Sequence, residues 1–220
     1  MQGVFPVDLL TTDGVPLKGD YYRPIAEQAP GVVLLHGKNR TRADWQILAG
    51  RLMTLGFATL AIDFRGAGES GGQPDDPNRL ADVDAAIAFL QTQAEVAPDS
   101  IMLVGENDGS WWALKYASER PDMRGVALIT PGIRYDKALL KQVMADYGDR
   151  PIFIAVSDNP AIGDENAVKT ARFLDKLATG PHELIIVQDN SWGLGLLLRE
   201  NGLAARLLAW MQDVAEKGSD

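Results

Sequence analysis

Cysteine is absent from this chain, and histidine occurs only at His36 and His182. The first absence excludes disulfides, thiolate metal sites and a cysteine nucleophile, and it leaves the compartment open because a cysteine-free chain survives anywhere. No apolar run approaches the ~18 residues needed to cross a bilayer. Residues 1–6 have neither a basic start nor a long apolar stretch, so no targeting segment is expected. The cytoplasm is the expected compartment, and a secreted or periplasmic chain with its signal removed fits the composition as well. Basic residues are outnumbered, giving a net charge of -9. Such a chain repels phosphate backbones and anionic lipid, which argues against nucleic-acid or membrane-surface partners.

What is present is ordinary for a soluble globular chain: 220 residues, 46% hydrophobic and 23% charged, with a mean hydropathy of -0.09. No linker, repeat or low-complexity stretch interrupts it, so a single domain over residues 1–220 is expected. Residues 4–11 and 17–23, joined by a turn at Asp13-Gly14, read as a hairpin that Pro24 stops. Apolar runs then alternate with helical periodicity, the mark of strands buried on both faces of a parallel sheet. The runs cover residues 31–36, 57–63, 100–104, 125–129, 151–156 and 183–187, making about eight strands in all. Amphipathic segments fall at residues 43–55, 80–93, 110–119, 135–146, 164–177 and 194–214. The expected class is α/β, a doubly wound, mostly parallel sheet with right-handed crossovers and helices on both faces. Residues 132–150 leave room for about one helix, so any cover over the site is small.

Three motifs carry chemistry. Val32-Val33-Leu34-Leu35-His36-Gly37 is a buried strand ending in His-Gly. Asp63-Phe64-Arg65-Gly66-Ala67-Gly68-Glu69-Ser70 has the form D-x-R-G-x-G-x-S. Gly105-Glu106-Asn107-Asp108-Gly109 follows a strand and precedes a helix, the strand, sharp turn and helix of a nucleophile elbow. In this order they resemble the α/β-hydrolase superfamily, and 113–117, 124–131 and 149–152 extend the resemblance toward small dienelactone-hydrolase-like esterases. Nearly the whole chain is covered.

The resemblance implies a serine at the elbow centre, an acid in the turn after the penultimate strand and a histidine after the last strand. This chain has Asn107 at the first position. It has Asn159, or an immediate neighbour, in Ser157-Asp158-Asn159-Pro160 at the second, and Trp192 in Gln188-Asp189-Asn190-Ser191-Trp192-Gly193 at the third. An amide nitrogen with a delocalised lone pair is no nucleophile, and an indole accepts no proton. His36 reads as part of the His-Gly strand and His182 as a surface residue far from the catalytic end, so neither replaces the base. The resemblance also makes the backbone N–H groups of Lys38 and Asp108 the oxyanion donors. An Asp108 carboxylate ~4 Å from an oxyanion would cost on the order of 4 kcal/mol, which rivals the ~3–4 kcal/mol one donor supplies.

No catalytic residue and no cofactor are therefore expected, and a non-catalytic binding or partner-interaction module is the leading reading. The ligand-facing candidates are Gly37, Lys38, Glu106, Asp108, Trp111 and Asp158, near the carboxyl ends of the strands where open α/β sheets bind ligands. Glu106, Asp108 and Asp158 could form an acidic pocket for a cation or amine, or Asp108 could simply complement its helix. No metal site is expected, because no histidine accompanies the carboxylates at a metal-ligand spacing. Lys38, Arg40 and Arg42 form a basic cluster read as scaffold. Of Trp111 and Trp112, one should pack in the core while the other lines the pocket, and Trp192 could fill the space of an imidazole. The alternatives are an enzyme using displaced carboxylates such as Asp108 or Asp158, and a serine esterase acting through Ser110 or Ser157.

Overall fold

The computed structural model describes residues 2–74, 76–132, 136–158, 165–188, 191–199 and 202–217. The chain opens with a hairpin, β1 (Gly3–Leu10) and β2 (Pro16–Arg23). Six further strands follow: β3 (Ala29–Leu35), β4 (Ala58–Ile62), β5 (Val96–Glu106), β6 (Gly125–Ile129), β7 (Ile152–Ser157) and β8 (His182–Val187). These eight form one sheet in the order β1-β2-β4-β3-β5-β6-β7-β8. β2 runs antiparallel to both neighbours, and the pairs from β4 to β8 are all parallel.

The helices cover both faces. Alternation along each strand decides which side chain meets which layer. In β3, Val33 and Leu35 face a core built with α2 (Arg79–Gln91), α3 (Asp108–Glu119), α4 (Lys137–Tyr147) and α5 (Glu165–Leu177). Val32 and Leu34 face the opposite core, shared with α1 (Gln46–Thr54), α6 (Gly195–Leu198) and α7 (Leu203–Glu216). The side thus changes between α1 and α2 and again between α5 and α6, and β3 and β5 flank the point where the strand order reverses. Their carboxyl ends are where such a sheet opens a ligand crevice.

Three expectations change. The single helix expected at residues 194–214 is two, α6 and α7, and α7 begins after Gly202 at φ 77°. A left-handed backbone cannot continue a helix, whatever the apolar spacing on either side suggests. β5 begins at Val96, four residues earlier than its apolar run, because Val96 and Ala97 pair with Ala29 and Pro30 before a register shift. Trp111 and Trp112 are both half-buried and both touch the core, so neither is the fully packed member of the pair. Residues one apart on a helix diverge, but at the first turn both still project beside the sheet end.

The loop after β4 explains its own sequence. Asp63 is fully buried and accepts hydrogen bonds from the backbone N–H groups of Arg42 (2.7 Å) and Glu69 (3.0 Å). The Arg42 guanidinium also pairs with it. The Ser70 hydroxyl donates to the Asp63 carbonyl at 2.7 Å and accepts the Lys18 N–H at 2.9 Å, tying the loop to the hairpin. Arg65 is fully buried and holds three carboxylates: Asp82 at 2.8 Å, Asp13 at 2.8 Å and Asp76 at 2.9 Å. Asp82 is buried as well, and a buried charge stripped of its partner costs far more than the pair contributes. Arg65→Ala should therefore lower unfolding stability by about 3–5 kcal/mol. Urea unfolding at neutral pH reads this directly, and Arg65→Ala with Asp82→Asn should recover part of the loss.

Candidate functional site

The elbow is where β5 turns into α3. Asn107 stands at its apex with φ 51° and ψ -117°, a conformation that costs an ordinary residue about 1–3 kcal/mol. Its backbone is held on both sides: its N–H donates to the Ile129 carbonyl at 3.0 Å, and its carbonyl accepts from Gly132 at 3.1 Å and Ser110 at 3.0 Å. Gly105 and Gly109 are obligatory here. A Cβ on Gly105 would overlap the Gly109 backbone, and one on Gly109 would overlap the Leu35 carbonyl. The Asn107 side chain folds back as the helix cap, its Oδ1 accepting the Asp108 N–H at 2.7 Å.

Behind the apex lies Glu106, fully buried. Its Oε2 accepts the Gly37 N–H at 2.9 Å, while Oε1 has no partner among the described residues. Gly37 and Gly193 enclose it so closely that a Cβ on either would overlap the carboxyl. Burial disfavours the anion and raises its pKa from 4.5 to about 7, against the lowering effects of Arg40 and the Gly37 N–H. Burial thus favours the neutral acid below that pKa. Gly193 is fixed in turn by its N–H, which donates to the hydroxyl of buried Thr130 at 3.2 Å.

His36 is buried next to this site and is committed to structure. The Phe64 N–H can only donate, so His36 Nε2 accepts it at 3.0 Å, and Nδ1 carries the ring proton that reaches the Gly37 carbonyl at 2.7 Å. Desolvation lowers its pKa further and keeps the ring neutral. His182 sits at the other end of the sheet, exposed, with Nδ1 against the Gly180 carbonyl at 2.8 Å and Asp175 3.8 Å from Nε2.

A cavity of about 730 Å³ opens beside the elbow. Its walls come from the loop after β3 (Gly37, Lys38, Arg40), the loop after β4 (Gly66, Gly68), the start of α3 (Asp108, Trp111, Trp112) and the segment entering α2 (Pro74, Pro77, Arg79). Leu139 of α4 closes the far side. Of the residues expected near a ligand, Gly37, Lys38, Asp108 and Trp111 line this space. Glu106 does not, being sealed behind Gly37. Asp158 does not either: it directly follows β7 and lies 3.4 Å from the Arg172 guanidinium, so the three acids do not converge. Asn159 lies outside the described residues. Trp192 is half-buried in the turn before α6, where its carbonyl accepts the Gly195 N–H at 3.1 Å. Among the described residues no group of three His, Asp or Glu side chains could hold a metal ion, and no helix is long and apolar enough to cross a membrane.

Arg79 and Trp112 also reach the cavity. Nothing local announces Arg79, the first residue of α2, because it is brought in by Pro74 and by the Phe64 ring, over which its guanidinium lies at 5.2 Å.

Strand order, elbow and loops together define an α/β-hydrolase, and the comparisons agree. A family model described as serine aminopeptidase, S33, matches residues 26–154, and the chain belongs to that family of α/β-hydrolases. Uncharacterized protein Rv2307c of Mycobacterium tuberculosis is 34% identical over 112 residues, covering 50% of this chain and 40% of the relative. Quorum-quenching protein AidA of Acinetobacter baumannii is 32% identical over 132 residues, covering 57% of this chain and 43% of AidA. The chain thus spans less than half the length of these curated relatives. Among solved structures, the Pyrococcus furiosus esterase Pf2001 superposes with a TM-score of 0.77 at 18% identity, over 96% of this chain and 93% of the esterase, a likeness of fold.

The pKa of Glu106 makes a signed prediction. Between pH 4.5 and about 7 the folded chain holds a proton that the unfolded chain has released, so stability falls as pH rises across that window. The loss amounts to about 3 kcal/mol. His36 acts with the opposite sign, its contribution present above pH 6.5 and lost as pH falls. Glu106→Gln removes the first effect alone. Denaturant unfolding at a series of pH values should show the variant's advantage over the parent growing from pH 4.5 to pH 7.

Proposed function

We propose that this chain is a non-hydrolytic member of its family that binds a small molecule in the cavity beside the elbow. The observation that carries this reading is the hydrogen bond from the Asp108 N–H to Asn107 Oδ1 at 2.7 Å. By family resemblance that N–H is a donor for the oxyanion, and here the residue at the nucleophile position occupies it. Asn107 offers no nucleophile, and the expected acid and base positions carry Asn159 and Trp192. Buried and neutral, His36 is held by backbone on both ring nitrogens, and His182 is at the wrong end of the sheet. Acyl transfer needs a nucleophile, a base and a free oxyanion donor together. Support for binding comes from a cavity within the range of ligand sites, about 300–1,000 Å³, lined by two tryptophans and several charged side chains.

A competing reading is an enzyme with displaced chemistry. It draws on the Asp108 carboxylate, which does line the cavity, and on a relative named for quorum quenching. Short-chain 4-nitrophenyl esters separate the two. The purified protein should hydrolyse them no faster than the buffer blank. Asn107→Ser should stay within about tenfold of the parent, because a serine there still lacks a base. Parent turnover that disappears in Asn107→Ala would overturn the proposal.

A further inference from the structure

The cavity's charge runs against that of the chain. Net charge is -9, yet the described residues lining the cavity include three cations, Lys38, Arg40 and Arg79, against the carboxylates of Asp76 and Asp108. One of those carboxylates is already engaged, since Asp76 accepts from Arg65 at 2.9 Å. Asp108 is the first residue of α3, where a carboxylate complements the positive end of the helix. The cations are less committed. Lys38 is exposed and has no ion pair among the described residues, and Arg40 meets Asp44 only at 3.4 Å across an exposed turn. Arg79 donates to the Pro74 carbonyl at 2.6 Å and has no carboxylate partner among the described residues.

Apolar side chains make up a large part of the remaining lining, beside Asn39 and Thr41. Trp111 and Trp112 are each half-buried and packed against the core, and Pro74, Pro77 and Leu139 add to the apolar surface. Aromatic faces take planar or apolar bodies at low entropic cost, while a cation gives orientation to an acidic group. A cation or amine suits the site poorly, because Glu106 is sealed away from the cavity and Asp158 faces Arg172 elsewhere. Resting on the binding reading above, we infer that the ligand is a small amphipathic anion: a flat apolar body on Trp111 and Trp112, with an acidic group held by Lys38 and Arg40. Arg79 extends the positive wall on the α2 side.

A matched pair of fluorescent probes tests this. 8-Anilinonaphthalene-1-sulfonate and N-phenyl-1-naphthylamine share one ring system and differ by the sulfonate. Fluorescence titration at low salt should give a Kd for the sulfonate at least about tenfold below that for the neutral dye. Lys38→Gln with Arg40→Gln should abolish most of that difference while leaving the neutral dye's Kd within about twofold, and Trp112→Ala should weaken both dyes. Both cations sit at the surface, and near-UV circular dichroism checks that each variant keeps its native packing. Equal affinity for the two dyes, or a preference indifferent to the double substitution, overturns the anion assignment and leaves the binding reading standing. Failure of both dyes to bind the folded parent overturns the anion assignment and the binding reading together.

Discussion

The site depends on one close backbone crossing. α3 starts so near the end of β3 that Gly109 lies against the Leu35 carbonyl, and the turn before it folds Gly105 onto the Gly109 backbone. No side chain fits at either position, and the residue between them is driven to φ 51°. A turn of this kind costs energy and lifts one side chain clear of the sheet. In a serine hydrolase that geometry presents the nucleophile. Here it presents an amide that turns back and caps the helix, so the strained turn is retained while its exposed group serves the backbone. The capping bond, the Asn107 N–H bond to the Ile129 carbonyl and the Gly132 N–H bond to the Asn107 carbonyl offset part of the strain.

Buried carboxylates organise what surrounds the crossing. Asp63 and Asp82 fix the loop after β4 through Arg42 and Arg65, which places Gly66 and Gly68 on the cavity wall. Glu106 plays the corresponding part beneath the elbow, joining the ends of β3 and β5 to the turn around Gly193. The two are held differently: Asp63 has a guanidinium and two N–H donors in hydrogen-bond contact, whereas Glu106 has one N–H, so burial raises the pKa of Glu106 against the weaker lowering by Arg40 and the Gly37 N–H.

Much of the architecture was legible in the sequence because burial writes itself locally. Strands covered on both faces become uninterrupted apolar runs, as at residues 32–35, and the glycines of the elbow mark a turn too tight for side chains. The hairpin and the parallel strands follow from such signals. The break after α6 does not, because Leu196, Leu203 and Leu207 keep a helical apolar spacing across it, while the backbone is extended at Arg199 and left-handed at Gly202. Glu106 reads as a pocket acid from its place in the motif. That it is sealed follows only from Gly37 and Gly193, which lie far away in the chain. Asp158 was misleading for a similar reason, since Arg172 sits a helix away. The charge of the cavity was the least legible feature of all: Arg79 arrives from α2, and only the assembled loops set it opposite Lys38.

A hydrolase scaffold whose elbow caps its own helix should be inert to reagents that trap an activated serine. Incubation of the folded protein with an alkyl fluorophosphonate, followed by intact-mass spectrometry, tests this most directly because one covalent turnover suffices for detection. The account predicts an unchanged mass. A stoichiometric phosphonyl adduct that maps to a single serine, and is lost on denaturing the protein before labelling, would contradict it.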